Sequence, residues 1–198
     1  MLDRIEIEQK TGNEPIIFHK NELGIKLIDF WKWSVSDLVS NATRGRFAEF
    51  IVGTALNVDL TKIREEWGAY DLETPEGIKV EVKSSSYLQS WFQKELSSIY
   101  FNIRKSRIWN EKTGKYSEVP SRESDVYVFC LLNHKDKTTV DPLNLDQWEF
   151  FVLSTSEIDN YKHSCKSITL NTLQKLTKGV SYDNLRDTVI KQHKRYEK

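Results

Sequence analysis

The segment Ala69-Tyr-Asp-Leu-Glu-Thr-Pro-Glu-Gly-Ile-Lys-Val-Glu-Val-Lys83 predicts a β-hairpin around which the rest of the chain can be arranged. Its Pro-Glu-Gly sequence at 75–77 fits a three-residue loop. Proline supplies the φ angle of a type I turn, and glycine takes the left-handed conformation that completes the loop. This register pairs Leu72 with Val80 and gives the hairpin one apolar face.

The opposite face of the predicted hairpin is charged. Asp71 stands across from Glu81, and Lys83 follows on the same face. A two-residue turn would instead pair Asp71 with Val80 and mix apolar and charged positions, so the three-residue register is preferred. Opposed carboxylates lie about 5 Å apart at their Cβ atoms and repel each other unless something compensates them.

Two interpretations of this charged face are open. It can be a solvent-facing side of a hairpin, or it can bind Mg²⁺ or Mn²⁺, hard cations that use one or two carboxylates and retain several waters. In the second case Lys83 is positioned to orient or deprotonate an attacking water and to offset phosphate charge.

A helix is predicted upstream of the hairpin, over 44–57, with Thr43 as its N-cap. Its apolar positions follow helical spacing; they are Phe47, Phe50, Ile51, Thr54 and Val58. Glu49 lies at the edge of this stripe, where a partly buried acid needs a partner. Arg46, one turn earlier, is one candidate partner, and a metal site is the other.

The remaining pattern predicts an α+β (α/β-like) fold with a mixed central sheet flanked by helices. The expected strands are 68–73, 78–84, 125–132 and 148–153, the third of them central; the expected helices start near Ser34, follow a capping box at Ser154, cover 171–178 and open at Ser181. Residues 1–33 fit either short strands or a mixed subdomain. We expect one domain: an N-terminal extension (1–33), a core (34–160) and a C-terminal helical segment (161–198).

Asp71 followed by Glu81-Val82-Lys83 resembles the motif of the PD-(D/E)xK, or restriction-endonuclease-like, nuclease superfamily. The resemblance covers about residues 36–153, and Tyr70 stands where the family has a proline before the aspartate. It implies a restriction-endonuclease-like core in which Asp71, Glu81 and the Val82 carbonyl hold the metal. It also implies an additional acid from the preceding helix, a role that Glu49 matches.

Candidate substrate contacts lie beyond the motif. Ser85 and Gln89 follow Lys83 at the exit of the strand, and the basic residues Arg104, Lys105 and Arg107 can bind backbone phosphates. For Gln89 the alternative is an exposed loop position, and for the basic residues it is an ordinary solvated face.

Composition limits the function classes. The 198 residues carry 29 Lys+Arg and 29 Asp+Glu, so no global charge attracts nucleic acid. Two cysteines are too few for a disulfide framework or a zinc signature. Fingerprints of nucleotide-binding loops and of serine hydrolases are missing from the sequence. No apolar run is long enough to span a membrane, and we expect a cytoplasmic protein.

The predicted function is a Mg²⁺-dependent phosphodiesterase, an endonuclease rather than an exonuclease, that acts on DNA. Mn²⁺ is expected to substitute for Mg²⁺. A homodimer is possible, because cutting both strands of a duplex requires two active sites. The alternatives are a non-catalytic nucleic-acid-binding or assembly module on the same fold, and a nuclease directed at RNA.

Overall fold

The computed structural model describes residues 5–66, 68–107, 109–110, 114–162 and 165–196. The strands are β1 (Pro15–Phe18), β2 (Asn21–Lys26), β3 (Leu72–Glu73), β4 (Lys79–Ser86), β5 (Tyr100–Asn102), β6 (Trp109–Asn110), β7 (Lys115–Tyr116), β8 (Val126–Leu132), β9 (Trp148–Ser154) and β10 (Ser167–Thr169). The α-helices are α1 (Leu27–Val35), α2 (Asn41–Ala55), α3 (Thr155–Lys162), α4 (Leu170–Leu176) and α5 (Leu185–Tyr196).

A four-stranded mixed sheet forms the centre of the fold, with strand order β3-β4-β8-β9. β4 is antiparallel to β3 and parallel to β8, and β8 is antiparallel to β9. Every residue of β8 is buried, as expected for a strand covered on both faces. The predicted α+β class, with a mixed central sheet flanked by helices, is confirmed.

Apolar clusters cover both faces of this sheet. On one face, β4, β8 and β9 pack against α2 and α5 through side chains such as Val80, Ile51 and Val189. On the other face, β8 and β9 pack against β5, α3, β10 and α4 through side chains such as Phe129 and Phe101. Glu81, Lys83 and Ser85 alternate with Val80 and Val82 along β4, so they lie on this second face.

The hairpin loop forms as predicted. Leu72 pairs with Val80, and Gly77 has φ +82° and donates its N–H to the Thr74 carbonyl at 2.9 Å. The first strand is much shorter than expected, because the chain leaves the ladder at Asp71, whose N–H still reaches the Val80 carbonyl at 3.1 Å. The strand predicted over 68–73 is therefore reduced to two residues.

Helix α2 begins earlier than predicted, with Ser40 at the N-cap position instead of Thr43. Its buried side includes Arg44, Ala48, Ile51 and Val52. The prediction that Phe50 belongs to the buried stripe is wrong, since 53% of that residue is exposed. The sheet contacts α2 through a face rotated away from Phe50, a choice that helical spacing alone does not fix.

The N-terminal part combines a β1–β2 hairpin with α1. Ser34 lies near the end of α1, so the helix start predicted there is wrong. No residue of α1 is buried, and all residues of β1 and β2 are exposed. The division at residue 33 falls within α1, and the three-segment organisation stays a prediction.

The capping box after β9 is confirmed. The Ser154 N–H donates to Glu157 Oε2 at 2.8 Å, and the Glu157 N–H donates to Ser154 Oγ at 3.3 Å. Among the helices in the described part of the chain, none is long and apolar enough to cross a membrane.

Candidate active site

Asp71, Glu81 and Lys83 meet at the point where β3 leaves β4. The Lys83 ammonium donates a hydrogen bond to Glu81 Oε1 and lies 3.9 Å from Asp71 Oδ2. All three side chains are partly buried, with exposed fractions of 28% for Lys83, 19% for Asp71 and 21% for Glu81. The grouping expected from the sequence is therefore present, although Asp71 and Glu81 are not ladder partners.

Asp71 is held by a backbone N–H of β4 that the short strand β3 leaves without a ladder partner. Its Oδ2 accepts the Val82 N–H at 2.7 Å, in the position of a missing strand bond. The N–H and C=O of one residue point to the same edge of a strand, so the Val82 carbonyl is directed toward the same side. The Asp71 carboxylate and the Val82 carbonyl thus lie at the same edge of β4.

The surroundings of Glu81 disfavour its charged form. Burial raises the pKa of its carboxyl, the nearby Asp71 raises it further and Lys83 opposes the shift. Tyr127 pairs with Glu81 across the parallel ladder, and burial together with that carboxylate raises the pKa of its phenol to about 12. An added positive charge at this position would therefore be favourable.

The repulsion between Asp71 and Glu81, which suggested a metal, is compensated by a cation of the chain itself. Lys83 bridges the two carboxylates, so charge compensation alone does not require a cation from solution. Within the described residues, no three His, Cys, Asp or Glu side chains converge as a ready metal cluster. The donor set still fits Mg²⁺, which needs only one or two carboxylates and fills its octahedron with waters.

The arginine that pairs with Glu49 is Arg64 rather than Arg46. Both of its carboxylate oxygens bind Arg64, Oε2 through Nε and Oε1 through Nη2 at 2.9 Å. Arg46 instead lies 3.7 Å from Glu66 in an exposed ion pair, so the pairing of Glu49 with Arg46 is wrong. Glu49 nevertheless contributes to raising the pKa of Glu81, which puts it within electrostatic reach of the other acids.

Sequence reasoning missed two arginines, Arg64 beside the acids and Arg44 on the opposite face of β4. Arg44 is 3% exposed and joins α2 to β4 through a bond from Nε to Ser84 Oγ at 3.2 Å. Burial lowers the pKa of its guanidinium to about 10. Arg64 approaches from an irregular segment and pairs across fifteen positions, a distance at which helical spacing carries no signal. Arg44 was detectable only as a charge on the buried helix face.

The predicted substrate contacts differ in their surroundings. Ser85 is partly buried on β4, on the same face as Lys83. Gln89 is 9% exposed and donates to the Ser86 carbonyl at 3.4 Å and to Ser97 Oγ at 3.3 Å. The alternative of an exposed loop glutamine is therefore wrong, whereas its contact with substrate stays a prediction.

The basic residues after β5 differ in their exposure and in their ion pairs. Arg104 and Arg107 are exposed. Lys105 lies 3.6 Å from Asp159, which also pairs with the buried Arg122. Phosphate contacts from these residues stay a prediction, and Lys105 would have to share its charge with Asp159.

Two grooves lie beside the cluster, one at Asp71 and one at Glu49. An open groove of about 810 Å³ is lined by residues 57–60, 62–65 and 68–75, among them Arg64 and Asp71. A second groove of about 530 Å³ is lined by Glu49, Arg64 and Trp31 among others. Arg64 lines both, and each groove has the size of a small-molecule or nucleotide site.

Comparison with known proteins identifies the class as a nuclease. Residues 27–172, which include the central sheet, α2 and the cluster at Lys83, match the family described as bacteriophage T4 endonuclease IV. The chain belongs to this family. A search of curated proteins found no match. The family supports the predicted nuclease acting on DNA, while the metal and the PD-(D/E)xK assignment stay predictions.

Proposed function

We propose that this chain is a Mg²⁺-dependent endonuclease of the PD-(D/E)xK type that hydrolyses phosphodiester bonds in DNA. The observation that carries the proposal is the partly buried Lys83 ammonium between the carboxylates of Asp71 and Glu81. An acidic pair beside a lysine at a strand edge supplies both metal ligands and a group for the nucleophile.

The proposed ligands are Asp71, Glu81 and the Val82 carbonyl, with Glu49 contributing directly or through water. Mn²⁺ should substitute, because it accepts the same oxygen ligands. When bound, the ion supplies Lewis acidity at the phosphoryl oxygen and lowers the pKa of a water. Asp71 is already oriented by the Val82 N–H, which limits how far its carboxylate must move.

Lys83 has two roles in this proposal. When the Asp71 and Glu81 carboxylates hold the ion, the Lys83 ammonium no longer pairs with them. It can then hold the attacking water and offset the charge that builds on the phosphate. Its partial burial makes both interactions stronger than they would be in bulk water. Ser85, on the same face of β4, is positioned for a neighbouring phosphate, and Gln89, Arg104, Lys105 and Arg107 are proposed as further substrate contacts.

We also propose that the chain forms a homodimer through its N-terminal part. Exposed apolar side chains are concentrated there; among them are Ile16, Ile17, Phe18, Leu23, Ile25, Phe30, Trp33 and Val35. Phe18, Phe30 and Trp33 are 62%, 50% and 84% exposed. These three aromatics leave on the order of 400 Å² uncovered, about half of the roughly 800 Å² that one partner contributes to a stable interface.

The charge of this surface favours a protein partner over a nucleic acid. Residues 5–35 hold four lysines against five acidic residues, so no positive field attracts phosphates. A second copy is the partner proposed, because two identical apolar surfaces of near-neutral charge can associate without repulsion. Two sites in one assembly would also allow both strands of a duplex to be cut.

Cleavage assays test the proposed function. Supercoiled plasmid, linear duplex, single-stranded DNA and RNA are each incubated with the wild type in Mg²⁺, in Mn²⁺ and in EDTA. We expect DNA fragments in either metal and none in EDTA, with circular DNA cut because an endonuclease needs no end. DNA cleavage that persists in EDTA would remove the metal from the proposal, and cleavage of RNA alone would favour the RNA-directed alternative.

A non-catalytic module that retains the hairpin is the remaining alternative, and the Lys83–Glu81 and Arg64–Glu49 pairs are compatible with it as structural contacts. This alternative predicts DNA binding without cleavage under every metal condition. Thermal stability then separates a structural role from a metal site, because a purely structural cluster gains nothing from Mg²⁺.

A further inference from the structure

We infer that Arg64 is a substrate-binding residue that contacts a backbone phosphate beside the scissile bond, exchanging its bond to Glu49 for the phosphate. The inference rests on the proposed nuclease function and assigns a residue that the motif does not include. Its basis is the position of Arg64 in both grooves and its two-pronged bond to an acid of the site.

The acidic and basic side chains of the site do not balance. The three acids Glu49, Asp71 and Glu81 face two cations, Lys83 and Arg64, which leaves one net negative charge to repel a phosphodiester. One divalent ion would change the net charge to one positive, which one phosphate charge can neutralise. An arginine attached to Glu49 becomes available when that carboxylate turns to the ion or to its waters.

The geometry of the bond between Arg64 and Glu49 also suits a phosphate. The Arg64 fork binds the Glu49 carboxylate through Nε and Nη2, the same bidentate arrangement that guanidinium groups use on phosphates. Asp71 and Glu66 add to the bond with Glu49 in raising the pKa of Arg64, so its positive charge lies within reach of the acids at the strand edge. A phosphate near Asp71 would therefore lie close to this guanidinium.

The Arg64 side chain is accessible to a ligand in the groove. Arg64 is 38% exposed, and the segment between α2 and β3 contains turns and no regular helix or strand among its described residues. Its side chain can therefore move between Glu49 and a ligand in the 810 Å³ groove without breaking a helix or a strand. Arg46 carries the same charge on the same side, but it pairs with Glu66 and is 59% exposed.

The test compares Arg64→Ala and Arg64→Lys with the matched control Arg46→Ala. Binding of a fluorescent DNA oligonucleotide is measured by anisotropy in Ca²⁺, which accepts the same oxygen ligands with looser geometry. We expect Arg64→Ala to weaken binding about 10- to 100-fold, the effect of losing charged hydrogen bonds. Arg64→Lys should lie between, since it keeps the charge and loses the fork, and Arg46→Ala should change binding less than about 2-fold.

A neutral phosphate identifies the contact. Once the wild-type cleavage position is mapped, single methylphosphonates are introduced one by one around it. At the phosphate that Arg64 contacts, the neutral linkage should abolish most of the difference between wild type and Arg64→Ala, in binding and in KM. Equal effects of Arg64→Ala and Arg46→Ala, or a difference that survives every methylphosphonate, would overturn the inference.

The two proposals fail in different ways. A wild type that cuts no DNA in any metal rejects the nuclease, and anisotropy still reports whether Arg64 binds phosphate. A wild type that cuts while Arg64→Ala binds and cuts normally rejects only the role of Arg64. If Arg64→Ala does not fold, as seen by circular dichroism, the folded Arg64→Lys variant decides.

Discussion

At the scale of single residues, the side chain of Asp71 replaces a strand bond. The sequence predicted a carboxylate pair facing each other across a regular ladder, whereas Asp71 leaves the ladder and accepts the Val82 N–H at 2.7 Å. Side-chain oxygens of aspartate compete readily with backbone carbonyls for such donors. The composition of the cluster was therefore predictable from the hairpin register, and its detailed geometry was not.

Glu49 illustrates the limit of local patterns at the same scale. Helical spacing correctly put it at the edge of the buried stripe, but its partner Arg64 comes from a segment with no periodic signal. Which distant residue pairs with Glu49 depends on the path of the chain between α2 and the sheet. Spacing within one helix carries no information about that path. The same reason explains why Arg46, the nearest cation on the helix, was the wrong choice.

The proposed metal ligands make a prediction about stability. We expect 10 mM Mg²⁺ to raise the melting temperature of the wild type by about 2–6 °C, if the dissociation constant is on the order of 1 mM. Asp71→Asn should abolish the shift, because the amide oxygen can still accept the Val82 N–H but the charge is lost. Differential scanning fluorimetry measures it, with Arg46→Ala as the control that keeps the shift. A shift of equal size in Asp71→Asn would exclude Asp71 as a ligand.

At the scale of elements, the hairpin was the most predictable part of the fold. A turn with proline at its first position and glycine at its third restricts the backbone locally, so the register needs no tertiary information. The length of β3 was not predictable, since strand pairing ends where the chain turns toward the groove. The buried face of α2 was only partly predictable because both Phe50 and Ile51 fit the helical period, and packing on the sheet selects Ile51.

Two glycines provide a matched test of this element-scale account. Gly77 has φ +82°, whereas Gly45 is helical, and an added Cβ would meet nothing within 4 Å at either position. Gly77→Ala should therefore destabilise the protein by about 1–2 kcal/mol through backbone strain alone. Gly45→Ala should stabilise it by about 0.5–1 kcal/mol, because alanine favours the helix. Urea unfolding measures both, and a neutral Gly77→Ala would contradict the proposed loop conformation.

At the scale of the whole molecule, the N-terminal part buries too little apolar surface to be stable on its own. A two-stranded hairpin and a nine-residue helix are each marginal when isolated. Here the described hairpin strands and α1 contain no buried residue. The sequence left short strands and a mixed subdomain open for this region, and exposure of its apolar side chains is a property of the folded chain that composition does not reveal.

The homodimer proposal makes a prediction at this scale. We expect the wild type to be a dimer and Trp33→Ser to be a monomer, or to have a dimer dissociation constant at least about 10-fold higher, because aromatic anchors dominate interface energies. Trp91→Ser is the matched control, since Trp91 is 53% exposed and lies outside the N-terminal part. Light scattering after size exclusion over a concentration series measures the mass. A wild type that is monomeric throughout would reject the interface.

The cluster of Asp71, Glu81 and Lys83 carries the central claim, and Lys83→Ala tests it most directly. The measurement is the single-turnover rate of DNA cleavage in Mn²⁺ by wild type and variant, with circular dichroism to verify folding. We predict a loss of at least about 100-fold in the variant, the size expected for a residue that positions the nucleophile and stabilises charge. Equal rates in two folded proteins would contradict the account, because Lys83 would then be only a structural partner of Glu81.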